Sequence, residues 1–121
     1  MAHSLRFWGV LLAALLWLPP GQAEPVAQFD LPTIAVANLP VEVRDTLQTI
    51  KRGGPLAYPR DGVVFKNYER ILPKQPRGYY REYTVKTPGA RNRGARRIIS
   101  GKVNEYYYTA DHYKTFKRIL E

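Results

Sequence analysis

Apolar and polar positions divide the chain into one helical stretch and a series of short strands. Leu39, Val43, Leu47 and Ile50 recur at three- and four-residue spacing, which gives residues 40–54 one apolar helical face. Pro40 suits the first turn of that helix, Lys51 and Arg52 the last, and Gly53 the stop. Beyond it the period falls to two. Asp61-Gly62 reads as a turn launching Val63, Val64 and Phe65 as a strand, and residues 72–78 as a proline-rich loop. Residues 78–85 alternate aromatic and β-branched side chains with charged ones, Pro88-Gly89 marks a turn, and 95–100 returns, forming a hairpin. Residues 105–109 predict a tyrosine-rich strand and 113–120 a last one, with Ala110, Asp111 and His112 displayed on the loop between them. One main helix followed by strands in a run of hairpins is an α+β pattern, the helix packed on a twisted antiparallel sheet of about five strands.

Alternation within the central hairpin sends Tyr80, Glu82 and Thr84 to one face and Arg81, Tyr83 and Val85 to the other. A small domain is expected to bury one face of its sheet. Tyr83, Val85 and Ile98 form the more apolar set, which leaves Glu82 and Arg97 together on a solvated side.

Residues 1–23 have the organisation of a secretory signal: Arg6 closes a short basic start, an apolar run extends from Phe7 to Leu18, and Gly21-Gln22-Ala23 offers a small-residue cleavage site. The run is too short for a membrane-spanning helix, which needs about 20 residues. Cleavage after Ala23 would leave 98 of the 121 residues, one domain with a modest core, preceded by an irregular leader over 24–38 with three prolines in and just beyond it. The formal charge of +9 becomes +8 when Arg6 is lost, and the pI is near 10.0. An exported, strongly basic domain points to polyanionic partners, whether RNA, DNA or an anionic membrane surface. Cysteine is absent, which excludes a thiol nucleophile, a cysteine metal site and disulfide support.

His112 is the only histidine after the signal and the only side chain there whose ordinary pKa lies near neutrality. Glu82 is a second proton-transfer group, and the two can divide base and acid roles. Arg91, Arg93, Arg96 and Arg97 are four arginines in seven residues. Arg91 and Arg96 read as a solvated turn, whereas Arg93 and Arg97 are four apart, and Arg97 is assigned to the Glu82 face. Forked guanidinium donors match phosphate oxygens and stabilise the added charge of a pentacoordinate transition state. Phe65, Lys66, Asn67, Tyr68 and Glu69 combine rings, an amide and a carboxylate at a strand end. Rings stack on an unpaired base, and a carboxylate accepts two parallel N–H bonds from a guanine edge. No zinc constellation, acidic two-metal cluster, nucleophile elbow or phosphate-binding glycine loop is present, so the expected chemistry needs neither metal nor cofactor.

The motifs at 61–69, Leu72-Pro73, 78–85, 87–98 and 107–116 together resemble the guanyl-specific extracellular microbial ribonucleases, the group of ribonuclease Sa and, more distantly, barnase. The resemblance covers nearly all of the chain from about Leu39, and implies a ribonuclease domain over 39–121 with the microbial ribonuclease fold. It implies metal-independent cleavage of single-stranded RNA 3′ of guanosine through a 2′,3′-cyclic phosphate, with Glu82 as base, His112 as acid, and Arg93, Arg97 and Tyr113 on the phosphate. It also implies that Glu69 reads guanine, that Phe65 packs on the base, and that Asn67 shapes backbone donors to its O6. A secreted monomer without stable membrane association is expected, with a small acidic inhibitor of the barstar kind as a candidate partner. Tyr68 stands where the family usually has an arginine, Lys66 is charged where a small or amide side chain is usual, and the end-to-end disulfide of close members has no counterpart.

Overall fold

At 11 residues the helix α1, Val41–Lys51, is shorter than the roughly 12–15 at which even good helix formers become marginal in water, so packing must hold it. Pro40 sits at its N-cap, one position earlier than expected, and the Pro40 carbonyl accepts the Val43 and Arg44 N–H groups at 3.0 and 3.1 Å. Glu42 in the first turn and Lys51 in the last oppose the helix dipole favourably. Gly53, at φ +84°, turns the chain out of the helix, and the Gly54 N–H closes the end on the Thr49 carbonyl at 2.9 Å.

The computed structural model describes residues 30–121, of which Leu31–Glu121 form one compact unit. The expected signal at 1–23 and the start of the leader lie outside the described residues. The strands are β1 (Thr33–Ala35), β2 (Val63–Phe65), β3 (Tyr80–Thr84), β4 (Arg97–Ser100), β5 (Tyr106–Thr109) and β6 (Lys117–Leu120). They form one sheet in the order β1-β6-β5-β4-β3-β2. All neighbours are antiparallel except β1 and β6, which run parallel with Ile34 opposite Ile119. The sheet is therefore six-stranded and mixed, where about five antiparallel strands were expected. Three residues are too few to establish a period, and β1 has no Asp-Gly turn before it such as the one that marks the equally short β2, which is why it reads as irregular leader. The final strand begins only at Lys117, because Asp111 ties the chain before it into a turn: its carboxylate accepts the Thr109 and Thr115 hydroxyls at 2.9 and 2.6 Å and the Thr115 N–H at 2.9 Å.

Both faces of this sheet are covered, so the expected solvated face is not found. On one, Val43 and Leu47 of α1, with Leu39, pack against Val85, Ile98, Tyr106, Tyr108 and Ile119. Leu72, Tyr80, Ile99, Tyr107 and Phe116 form a second core on the other. Each fully buried aliphatic or aromatic side chain contributes about 1.5–3 kcal/mol, so two such layers compensate for a short helix and the absence of disulfides. Glu82 and Arg97 lie on the second face and are only 8% and 2% exposed. Tyr83, expected in the core, is half-buried and belongs to neither cluster.

Candidate active site

The second core opens at one end into a cleft of about 560 Å³, walled by the segment 64–69, by Glu82, and by residues 112–114 and Phe116. β3 aims Glu82 into it, because Glu82 pairs with Val63 on one side and Ile99 on the other and its side chain must share a face with Tyr80 and Thr84. His112 reaches the cleft from the β5–β6 turn and is itself exposed. His112 and Tyr113 both hold positive φ angles, 58° and 74°. The backbone there is pinned by the His112 N–H on the Ala95 carbonyl at 3.0 Å, by the Tyr113 N–H on the Thr109 hydroxyl at 3.1 Å, and by the Asp111 turn. Bonds from Thr115 hold the Asp111 carboxyl down at a pKa of about 2.

Tyr113 links the charged groups. Its hydroxyl donates a short hydrogen bond to a Glu82 carboxylate oxygen and accepts one from Arg97 Nε at 3.1 Å. Burial, and then the adjoining Glu82 carboxylate, push the Tyr113 hydroxyl above its ordinary pKa of 10.0, so it stays a neutral donor. The Arg97 guanidinium lies 5.8 Å from the centre of the Tyr113 ring and is fastened by Nη1 to the Gly94 and Arg96 carbonyls at 3.0 and 2.8 Å. Arg97 pairs across the sheet with Thr84, and the Thr84 hydroxyl accepts both Nε and Nη2 of Arg93, at 3.0 and 2.8 Å. The structure thus brings Arg93 and Arg97 to the same stretch of β3 as Glu82, although neither lines the cleft itself. Arg96 departs from the solvated turn expected of it, ion-pairing with Glu42 of α1 at 3.3 Å.

The base-recognition candidates Phe65, Lys66, Asn67, Tyr68 and Glu69 all line the same cleft as Glu82, His112 and Tyr113. Phe65 stacks on Tyr113, with centroids 5.4 Å apart and planes at 23°, so the two ends of the site share an aromatic floor. Asn67, at φ 55°, folds the segment back on itself: Nδ2 donates to the Leu72 carbonyl at 2.9 Å and Oδ1 accepts the Leu72 N–H at 3.2 Å. Glu69 is exposed, and Tyr68 is 80% exposed with Lys66 Nζ 5.8 Å from its ring centre.

Sequence reasoning missed Arg60 and Lys114, which stand at the cleft, and the Thr84 anchor. An isolated basic residue on a basic chain gives no signal, and a strand threonine signals only strand. Among the described residues the ion pairs are Lys51–Glu121 and Arg96–Glu42, so the cations about the cleft are not neutralised by the carboxylates beside them. No three potential metal ligands converge among the described residues. The site can hold an anion next to a carboxylate and an imidazole, beside a slot with one aromatic wall and one acid.

A family model for ribonuclease matches residues 22–120. This chain belongs to the ribonuclease family. It is similar to guanyl-specific ribonuclease Sa of Kitasatospora aureofaciens, 57% identical over 88 residues that cover 72% of this chain and 92% of the relative. With guanyl-specific ribonuclease St of Saccharopolyspora erythraea it shares 54% identity over 84 residues, 69% and 83% of the two chains. A solved structure of ribonuclease Sa2 complexes with mononucleotides superposes with a TM-score of 0.75 at 47% identity, covering 76% of this ribonuclease and 96% of that chain. The helix on a sheet described above is thus the ribonuclease Sa fold.

Proposed function

We propose that this chain is a secreted guanyl-specific endoribonuclease that cleaves single-stranded RNA on the 3′ side of guanosine by transesterification, without a metal ion. The observation that carries the proposal is the convergence of Glu82, His112 and the 65–69 segment on one cleft, with Arg97 attached to Glu82 through the Tyr113 hydroxyl. The similarity to guanyl-specific ribonucleases supports the same reading.

Glu82 takes the proton from the ribose 2′-hydroxyl as the 2′ oxygen bonds to the adjacent phosphorus. His112 gives a proton to the 5′ oxygen as the phosphorus–O5′ bond breaks, which leaves a 2′,3′-cyclic phosphate. In the slower second step the roles exchange, and water opens the ring. Arg97 and Arg93 meet the phosphate oxygens, where charge accumulates in the transition state, and their anchors on carbonyls and on Thr84 mean little reorganisation is needed. Tyr113 orients the Glu82 carboxylate by donating to it. Phe65 supplies one stacking wall for the base and Glu69 accepts the guanine N1 and N2 hydrogens. The loop closed by Asn67 turns its backbone amides toward O6. Tyr68, whose ring is exposed, closes the other face of the base where a cation is usual. DNA lacks the 2′ nucleophile and is bound without being cut. The apolar start of the chain supports secretion, and the basic cleft suits a small acidic inhibitor.

The test is digestion of a defined RNA by purified protein in EDTA, with cut sites mapped and cyclic phosphate assayed, beside Glu82→Gln and His112→Gln. Cuts after guanosine are expected, with kcat/KM on GpC lowered about 100- to 10,000-fold in each variant and the fold kept. Undiminished cleavage by either variant refutes the assignment.

A further inference from the structure

The recognition segment has two sides. Behind it lies a second cleft of about 330 Å³ that shares Phe65, Lys66, Asn67 and Tyr68 with the first but contains neither Glu82 nor His112. Its remaining wall brings up Arg70, Lys74 and Arg77, and no carboxylate lines it. None of these three, nor Lys66, takes part in an ion pair among the described residues, and all four are exposed. The backbone that presents them is nonetheless fixed. The Arg70 N–H bonds the Asn67 carbonyl at 2.9 Å, the Tyr80 hydroxyl bonds the Pro73 carbonyl at 2.6 Å, and the Tyr79 N–H bonds the Pro76 carbonyl at 3.1 Å. Four cations held close on an anchored loop repel one another, and a polyanion relieves that repulsion.

We propose that this cleft is a subsite for the RNA strand on the 5′ side of the guanosine, in which Arg70, Lys74 and Arg77 hold the backbone phosphates upstream of the base. The proposal rests on the reading that the 65–69 segment takes guanine. With the base there, the 3′ phosphate lies between Glu82 and His112, so the strand in the other direction leaves past the shared wall and enters the second cleft. The exposed ring of Tyr68 stands on that wall and gives the preceding base a surface to stack on.

Cleavage of GpC, UpUpGpC and GpCpUpU is compared at low salt for the parent, the triple variant Arg70→Gln/Lys74→Gln/Arg77→Gln, and a control triple variant with the same charge loss elsewhere, Arg44→Gln/Arg52→Gln/Lys102→Gln. At about threefold per phosphate contact, the two phosphates added in UpUpGpC raise parent kcat/KM over GpC about tenfold. The groove variant loses most of that gain while its GpC rate stays at the parent level, which also shows that it is folded, and the control keeps the gain. The logarithmic salt slope of the UpUpGpC rate becomes shallower by about 0.7 per lost contact in the groove variant. A gain absent from UpUpGpC, found instead with GpCpUpU, retained by the groove variant, or lost equally by the control overturns the subsite. A parent that cleaves none of the three overturns the reading of function, and the subsite with it.

Discussion

Replacing Asn67 by alanine removes both hydrogen bonds that close the 65–69 segment onto Leu72 and leaves alanine at φ 55°. Leu72 is 0% exposed, so water cannot readily reach the N–H and carbonyl left behind. Two hydrogen bonds at about 1 kcal/mol each, and about 1 kcal/mol for alanine in the left-handed region where asparagine is tolerated, come to about 3 kcal/mol. For a domain of this size that is a fall in Tm of about 12–24 °C. Asn67→Gly separates the two contributions, because glycine adopts the angle freely and forfeits only the hydrogen bonds; it should lose about 2 kcal/mol. Urea denaturation of parent and both variants measures the stabilities, and cleavage of GpC against ApC measures the specificity. Both variants should raise KM for GpC and narrow its advantage over ApC, since the loop no longer holds its amides in place. If alanine and glycine both unfold within about 0.5 kcal/mol of the parent, the amide is not what shapes the loop.

Two further expectations concern pH. Tyr80, Tyr107 and Tyr113 all have hydroxyls raised above 10.0, chiefly by burial. The stability they bring is complete below about pH 10 and is lost as pH rises beyond it, at about 1.4 kcal/mol per pH unit for each. Denaturant midpoints followed alongside tyrosinate absorbance should fall steeply above that pH, with the three tyrosinates appearing only on unfolding; their ordinary titration in the native protein would contradict this. Asp111 is lowered from 3.8 to about 2, so its contribution is present above about pH 4 and is lost as pH falls toward 2. Asp111→Asn should therefore destabilise the protein at neutral pH, flatten its acid dependence in that window and impair GpC cleavage by loosening the turn that bears His112. Equal destabilisation at both ends of the window would sink the assignment.

The helix and five of the six strands, β2 to β6, were legible because each has a period or a turn signal to mark it. Val43 and Leu47 could be assigned to the core from spacing alone. β1 could not, since its three residues owe their strand conformation to a β6 edge 85 residues away in sequence. The candidate site was legible as residue types and through the family resemblance rather than as geometry. That Glu82 and His112 reach one cleft depends on the Asp111 turn and the positive φ angles at 112 and 113, neither of which leaves a mark in a hydrophobic pattern. Arg93 and Arg97 come to the same stretch of β3 through Thr84 and the Tyr113 hydroxyl, contacts that are tertiary and leave no mark in the sequence.

The misjudged face has a single physical origin, which is tyrosine. A binary pattern must count that side chain as core or surface, yet the rings of Tyr80 and Tyr107 pack with Leu72, Ile99 and Phe116 while their hydroxyls reach the Pro73 carbonyl and the Glu105 carboxylate. Tyr113 does the same at the rim, its ring against Phe65 and its hydroxyl on Glu82. One sheet face can then be a packed core at one end and a polar site at the other, because each of these hydroxyls has a partner. Register follows from this. A slip of one residue in β3 would turn Glu82 toward Val43 and Leu47, where nothing could meet its charge, and would bring Tyr83 into the cleft in its place. The interactions that bury the sheet therefore also keep the Glu82 carboxylate beside Tyr113 and Arg97, and substitutions that loosen the second core should lower activity before they unfold the protein.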